Sequence, residues 1–137
     1  MIRKAKIKYT ESGHPIVPVT INGESTNLII DTGSDVTCLD SSKSAEFKIE
    51  MVEDEESETI GACGKKIENN RSADSVLLKI GGGHAPFTTT MREVNLMDMT
   101  DIIPHISEKE SIGGIIGMDF IRSKCIIDFH KGILTIK

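Results

Sequence analysis

Residues 14–33 limit the fold more than any other stretch of the chain. An apolar, β-branched run, His14–Ile21 (HPIVPVTI), meets Asn22-Gly23. A second run, Ser25–Ile30 (STNLII), leads straight into Asp31-Thr32-Gly33. Asn-Gly between two such runs is the strongest short hairpin signal, because both central residues of a type I′ turn need positive φ. The chain therefore opens on antiparallel strands, and Asp31 falls at the end of a buried one.

The period of two continues downstream. Val36–Leu39 reads as a short strand. Thr59–Ile67 (TIGACGKKI) reads as strand, glycine-bearing tip and strand. Ser75–Ile80 and Ala85–Val94 are strands on either side of Gly81-Gly82-Gly83. Lys124–Phe129 and Gly132–Ile136 form a closing hairpin around His130-Lys131-Gly132. Between these, Ser41–Met51 has room for one helical turn. Val52–Glu58 (VEDEESE) is expected as a solvated acidic loop. Asn95–Ser107 fits either a short helix or an irregular loop, and Gly113–Ile121 (GGIIGMDFI) has helical capacity after its glycines. The fold class is all-β, with at most one or two short helices, in a single domain spanning residues 1–137.

Aromatic residues are 4% of the chain and Trp is absent, so the core is expected to be aliphatic. The net charge of -5, with basic residues scattered except at Arg3–Lys8, argues against a nucleic-acid binder. That basic cluster reads as a solvated terminal strand. No apolar run approaches the length of about 18 residues that a membrane span needs. The N-terminus MIRKAKIKY lacks the apolar middle of a secretory leader, which points to the cytoplasm.

Cys38, Cys63 and Cys125 are odd in number and widely spaced, matching neither a disulfide framework nor a metal site. Two buried thiols and one exposed one are expected, with no metal and no organic cofactor. His14, His84, His105 and His130 have no evident partner and are expected on surface or loop positions. Gly61-x2-Gly64-Lys65 has the wrong spacing for a phosphate loop.

The chemistry rests on Asp31-Thr32-Gly33 in context. It ends the apolar run Leu28-Ile29-Ile30 and precedes Ser34-Asp35-Val36-Thr37. About eighty residues on comes Ile115-Ile116-Gly117, followed by Met118-Asp119-Phe120-Ile121, with the glycine-tipped hairpin between. This order resembles the retropepsins, the retroviral and retroelement aspartic proteases with their cellular and bacterial relatives. LIIDTGSDVT resembles their active-site strand and loop, TIGACGK their flap, and GIIGMDFI the apolar-apolar-Gly stretch and helix before the last strands. CIIDFHKGILTI is similar to the closing hairpin of the retrotransposon branch. The resemblance covers residues 14 to 137.

The resemblance implies a closed barrel or sandwich with a flap hairpin and one short helix near the C-terminus. It implies Asp31 as the catalytic carboxylate and Thr32 as a bridge between facing loops. Gly33, Ser34 and Asp35 support the site or touch substrate, and Ile60, Gly61, Ala62, Cys63 and Gly64 close over the peptide. Ile115, Ile116, Gly117 and Asp119 are structural, Asp119 by capping or by bonding to the active-site loop. Met118 stands where retroviral enzymes often place an Arg that pairs with the acid matching Asp35.

Peptide hydrolysis at mild pH needs an activated water and an acid for the leaving amine. Two carboxylates about 3 Å apart share one proton and divide those roles. This chain offers one Asp-Thr-Gly, so the second carboxylate comes from a second copy across a two-fold axis. The expected function is a homodimeric aspartic endopeptidase acting on a peptide or protein, with Ile126–Lys137 contributing to the interface. A hydroxyl at Ser34 can donate to the ionised carboxylate and favour the charged form, which predicts an acidic pH optimum. The alternatives are a silent dimerisation or peptide-binding module of the same fold, and a small acidic β-domain unrelated to proteases.

Overall fold

The computed structural model describes residues 2–60, 66–72, 75–82 and 85–137, with side chains given outside 53–60 and 66–72. In chain order the elements begin with β1 (Arg3–Lys6), β2 (Lys8–Tyr9), β3 (Pro15–Ile21) and β4 (Glu24–Ile30). Next come β5 (Cys38–Asp40), a 3-10 turn at Ser41–Lys43, β6 (Met51–Ile60) and β7 (Lys66–Ser72). β8 (Val76–Ile80), β9 (Phe87–Met91) and β10 (Asn95–Met97) precede α1 (Ile103–Ile106). The last quarter holds β11 (Ile112–Ile116), α2 (Met118–Lys124), β12 (Cys125–Asp128) and β13 (Ile133–Ile136). The architecture is mostly β, as expected, and its long sheet curls into a half-barrel.

That sheet runs β6-β7-β10-β5-β11-β4-β3-β8-β9, with β2 attached to β3; a second, three-stranded sheet runs β1-β13-β12. The opening hairpin forms as its turn chemistry dictates: Asn22 (φ 48) and Gly23 (φ 88) are both left-handed. Asn22 also braces the turn, its Nδ2 donating to the Phe47 carbonyl at 2.9 Å and its Oδ1 accepting the Leu77 N–H at 2.9 Å. Pro18 is tolerated within β3 because the β8 ladder begins only at Val19.

One connection sets the geometry of the whole molecule. β11 pairs parallel with β4 and antiparallel with β5, so it is threaded between two strands that are neighbours in sequence. Close approach at this crossing explains the glycine pair. A Cβ on Gly114 (φ +154) would lie 2.3 Å from the Cys38 carbonyl oxygen, and one on Gly113 would lie 2.7 Å from Thr26 Cγ2.

The main core is aliphatic in bulk, around Val17, Ile21, Leu28, Leu39 and Ile116. Aromatics still hold key places: Phe47 is fully buried, and Phe87 meets Phe120 edge-on at 5.9 Å. A smaller apolar cluster joins Ile16, Ile29, Met99, Ile106 and Ile112.

Several expectations are corrected. The acidic run Val52–Glu58 is not a loop but lies within β6, because its backbone pairs with β7 regardless of side-chain charge. Asn95–Ser107 contains both a strand and a helical turn, β10 and α1. The basic N-terminus is more than a solvated strand: β1 pairs with β13, and Ala5 and Ile7 are buried between the exposed lysines. The hairpin tip Gly61, Ala62, Cys63 and Gly64 lies outside the described residues, as does His84.

Candidate active site

Asp31 follows directly on β4, half-exposed, and its position is fixed through the backbone. Its N–H donates to the Ile116 carbonyl at 3.0 Å, tying the loop to β11. Its Oδ1 accepts the Gly33 N–H at 2.9 Å. The loop turns tightly, with the Ser34 N–H donating to the Asp31 carbonyl at 3.3 Å. A Cβ on Gly33 would sit 3.3 Å from Asp31 Oδ1, so a larger residue would press on the carboxylate.

The loop is completed by α2. The first N–H groups of a helix have no partner within it. Here the Met118 N–H donates to the Ser34 carbonyl at 2.7 Å and the Asp119 N–H to the Asp35 carbonyl at 3.1 Å. The helix start and the Asp31 loop thus satisfy each other. Gly117 makes this possible: a Cβ there would lie 2.3 Å from the Val36 carbonyl oxygen.

Asp119 is exposed, yet its Oδ1 is committed. It accepts from the Thr37 hydroxyl at 2.7 Å and from the Phe120 N–H at 2.8 Å. Thr37 Oγ1 in turn accepts the buried Gly117 N–H at 3.1 Å. Thr37 is buried and was not singled out from the sequence. Only its place six residues after Asp31, facing the Ile-Ile-Gly stretch, could have marked it.

Ser34 does not do what its hydroxyl suggested. Its Oγ donates to the Val36 carbonyl at 2.8 Å rather than to Asp31. The carbonyl two residues on is within easy reach, and the Gly33 N–H serves the Asp31 carboxylate instead. This hydroxyl therefore gives the Asp31 carboxylate no hydrogen bond, and the acidic optimum expected from it does not follow. Thr32 and Asp35 are exposed. Met118, at the position where an ion-pairing Arg was absent, packs half-buried against the main core.

Ile115 and Ile116 divide between faces. Ile116 is buried in the main core, while Ile115 is half-buried against the smaller cluster. Ile60 ends β6 opposite Lys66. Further from Asp31, Asp40 is fully buried at the end of β5. Its Oδ1 accepts from the Ser42 N–H (3.0 Å), the Ser42 hydroxyl (2.7 Å) and the Met99 N–H (3.1 Å). Its Oδ2 accepts no hydrogen bond among the described residues.

The two described cysteines, Cys38 and Cys125, offer no nucleophile near neutral pH. Burial, and then the charge of Asp40, push the Cys38 thiol up to about 12. Burial pushes Cys125 up to about 11. Among the described residues no three His, Cys, Asp or Glu side chains gather as metal ligands. His14, expected without a partner, lies 2.6 Å from Ser12 Oγ through its Nδ1. Among the described residues no helix is long and apolar enough to cross a membrane.

The same fold recurs in solved structures. EIAV protease complexed with the inhibitor HBY-793 is similar with a TM-score of 0.54 and 19% identity, over 84% of this chain and 91% of that one. A retropepsin-like aspartic protease from Rickettsia conorii has a TM-score of 0.51 and 14% identity, over 99% and 90%. The retroviral protease-like domain of Ddi1 from Leishmania major has a TM-score of 0.53 and 17% identity, over 90% of each chain. At such identities the likeness speaks for the fold. No curated protein matches the chain in sequence. Residues 17–120 match the family model described as aspartyl protease. That stretch carries the opening hairpin, the Asp31 loop, β11 and the start of α2, and by it the chain belongs to the aspartyl protease family.

Proposed function

We propose that residues 1–137 form one domain that is half of a homodimeric aspartic endopeptidase. The observation that carries this reading is Asp31 itself. A half-exposed carboxylate stands on a loop held by β11 and α2, in a chain with one Asp-Thr-Gly. A second copy supplies the second carboxylate. At a separation of about 3 Å the two share one proton. The ionised member takes a proton from water, which attacks the peptide carbonyl. The protonated member donates to the carbonyl oxygen, and the departing amine is then protonated.

In this reading Thr32 and Gly33 contact the facing loop and the substrate backbone, with Asp35 beside them. Ser34 supports the loop through Val36. Ile60, Gly61, Ala62, Cys63 and Gly64 cover the peptide. An extended peptide held between that hairpin and the loop gains main-chain hydrogen bonds, as in strand addition. Ile126 and Phe129, exposed in the segment Ile126–Lys137, support a contact between copies there. No cofactor enters the chemistry, and the cytoplasm is the proposed compartment.

The test is a diverse peptide library incubated at several pH values with wild type and with Asp31→Asn. Wild type should cleave and the variant should not, while sedimentation reports a dimer for both. Cleavage surviving in Asp31→Asn would sink the mechanism.

A further inference from the structure

Side chains alternate along a strand, so Asp31, Ile29 and Asn27 share one face of β4 and its continuation. The cross-strand partners of Ile29 are Ile16 on β3 and Ile115 on β11, which lie on that same face. All three isoleucines belong to the smaller apolar cluster rather than to the main core. That cluster therefore extends from the Asp31 side of the sheet. Three of its contributors, Ile115, Met97 and Ile103, are only half-buried, so apolar surface remains open there.

Ile103 and Ile106 come from α1, which has four residues and cannot hold itself as an isolated helix. Its support comes from the turn between β2 and β3. The Ser12 hydroxyl donates to the Ile106 carbonyl at 2.5 Å. Ser12 has a single hydrogen, so its other two partners must donate to it. These are the Thr10 hydroxyl at 2.9 Å and His14 Nδ1 at 2.6 Å, which places the His14 hydrogen on Nδ1. Thr10 Oγ1 accepts the His14 N–H at 3.1 Å and closes the set.

Glu11 adds a second tie. Its Oε1 accepts the Glu108 N–H at 2.9 Å. A hydrogen bond from the Ser107 hydroxyl, more than any other cause, holds its carboxyl below the usual glutamate value. Ser107 Oγ also accepts the N–H groups of Lys109 (3.2 Å) and Glu110 (2.9 Å). Lys8 reaches Glu110 at 3.5 Å from the same side. A cleft of about 260 Å³ runs along this seam, between Glu11 and Ser12 on one side and 104–109 on the other.

We propose that the Thr10–His14 turn is a latch that holds α1 as an apolar wall on the Asp31 face, making Ser12 a positioning residue for a large apolar side chain of the bound peptide. The inference rests on the endopeptidase reading for its substrate but on the hydrogen bonds above for its mechanism. Ser12 is exposed, so its removal leaves the Ile106 carbonyl to water and spares the fold.

Two peptides that differ only beside the scissile bond, Leu in one and Ala in the other, test it. Ser12→Ala should raise KM for the Leu peptide about three- to tenfold, the worth of one hydrogen bond. The kcat, the melting temperature and the KM for the Ala peptide should stay as in wild type, and Ser12→Thr should restore the Leu peptide. An unchanged KM, or equal loss on both peptides, overturns the latch. Calorimetric affinities of the Leu peptide for Asp31→Asn, with and without Ser12→Ala, read the latch without turnover. Weaker binding in the double variant upholds it even if wild type cleaves nothing, an outcome that overturns only the endopeptidase reading. Equal affinity, or no binding at all, overturns the latch.

Discussion

The Thr37 hydroxyl donates to the Asp119 carboxylate at 2.7 Å across 82 residues of sequence. The same oxygen accepts the buried Gly117 N–H. Thr37→Val keeps the shape and removes both bonds, leaving a buried donor without a partner. The expected cost is about 1–3 kcal/mol in denaturant unfolding, with a parallel fall in kcat as the Asp31 loop loosens. Thr37→Ser should recover most of it. Equal stability of the Val variant and wild type would show the bridge to be idle.

Gly117→Ala should be worse than its one added methyl suggests. Its backbone (φ -97, ψ -179) is ordinary for any residue, so the penalty is steric rather than conformational. The new Cβ meets the Val36 carbonyl oxygen at 2.3 Å, and moving that carbonyl drags the Asp31 loop with it. Destabilisation of about 2 kcal/mol or more is expected, with loss of cleavage. An active, stable Gly117→Ala protein would contradict the crossing geometry.

Ser34→Ala should leave the pH–rate profile superimposable on wild type, because its hydroxyl serves the Val36 carbonyl and not Asp31. The stability cost should be about 1 kcal/mol or less. A shifted acid limb would return the hydroxyl to the carboxylate.

Asp40→Ala removes the acceptor for the Ser42 and Met99 N–H groups at a fully buried site. The expected loss is about 2–4 kcal/mol. Asp40→Asn keeps the accepting Oδ1 and should cost clearly less in the same urea titration. Equal costs would mean that the charge, and not the acceptor, matters.

Alkaline stability follows from Cys38. Unfolded, its thiol ionises near 9.0; folded, it stays protonated up to about 12. The folded state therefore holds the extra proton, and stability falls as pH rises above about 9. Cys125, raised to about 11, adds to the same trend. Urea midpoints from about pH 8 to about pH 10.5 should fall less steeply in Cys38→Ala than in wild type. Parallel curves would remove Cys38 as a cause.

Local signals were legible where neighbouring residues decide the outcome. Asn22-Gly23 dictates its own φ values, and the run into Asp31 carries its own alternation. The glycines of Gly113-Gly114 and Gly117 are visible as letters, but their reason is not, since the obstructing carbonyls belong to Cys38 and Val36. The acidic β6 was misjudged because strand pairing acts on the backbone and composition describes side chains. The three residues of β10 owe their strand to pairing with β5 and β7, which no window of sequence contains. Ser34 failed for a smaller reason: a hydroxyl has several acceptors in reach, and the sequence does not rank them.

The threading of β11 between β4 and β5 also orders events in time. During synthesis Asp31 leaves the ribosome long before Gly117 exists, so the nascent chain carries its carboxylate on an unbraced loop. Such long-range closure is slow relative to local hairpin formation. The Asp31 loop therefore takes its final shape only after Gly117 and α2 have been made, later than the hairpin that carries it.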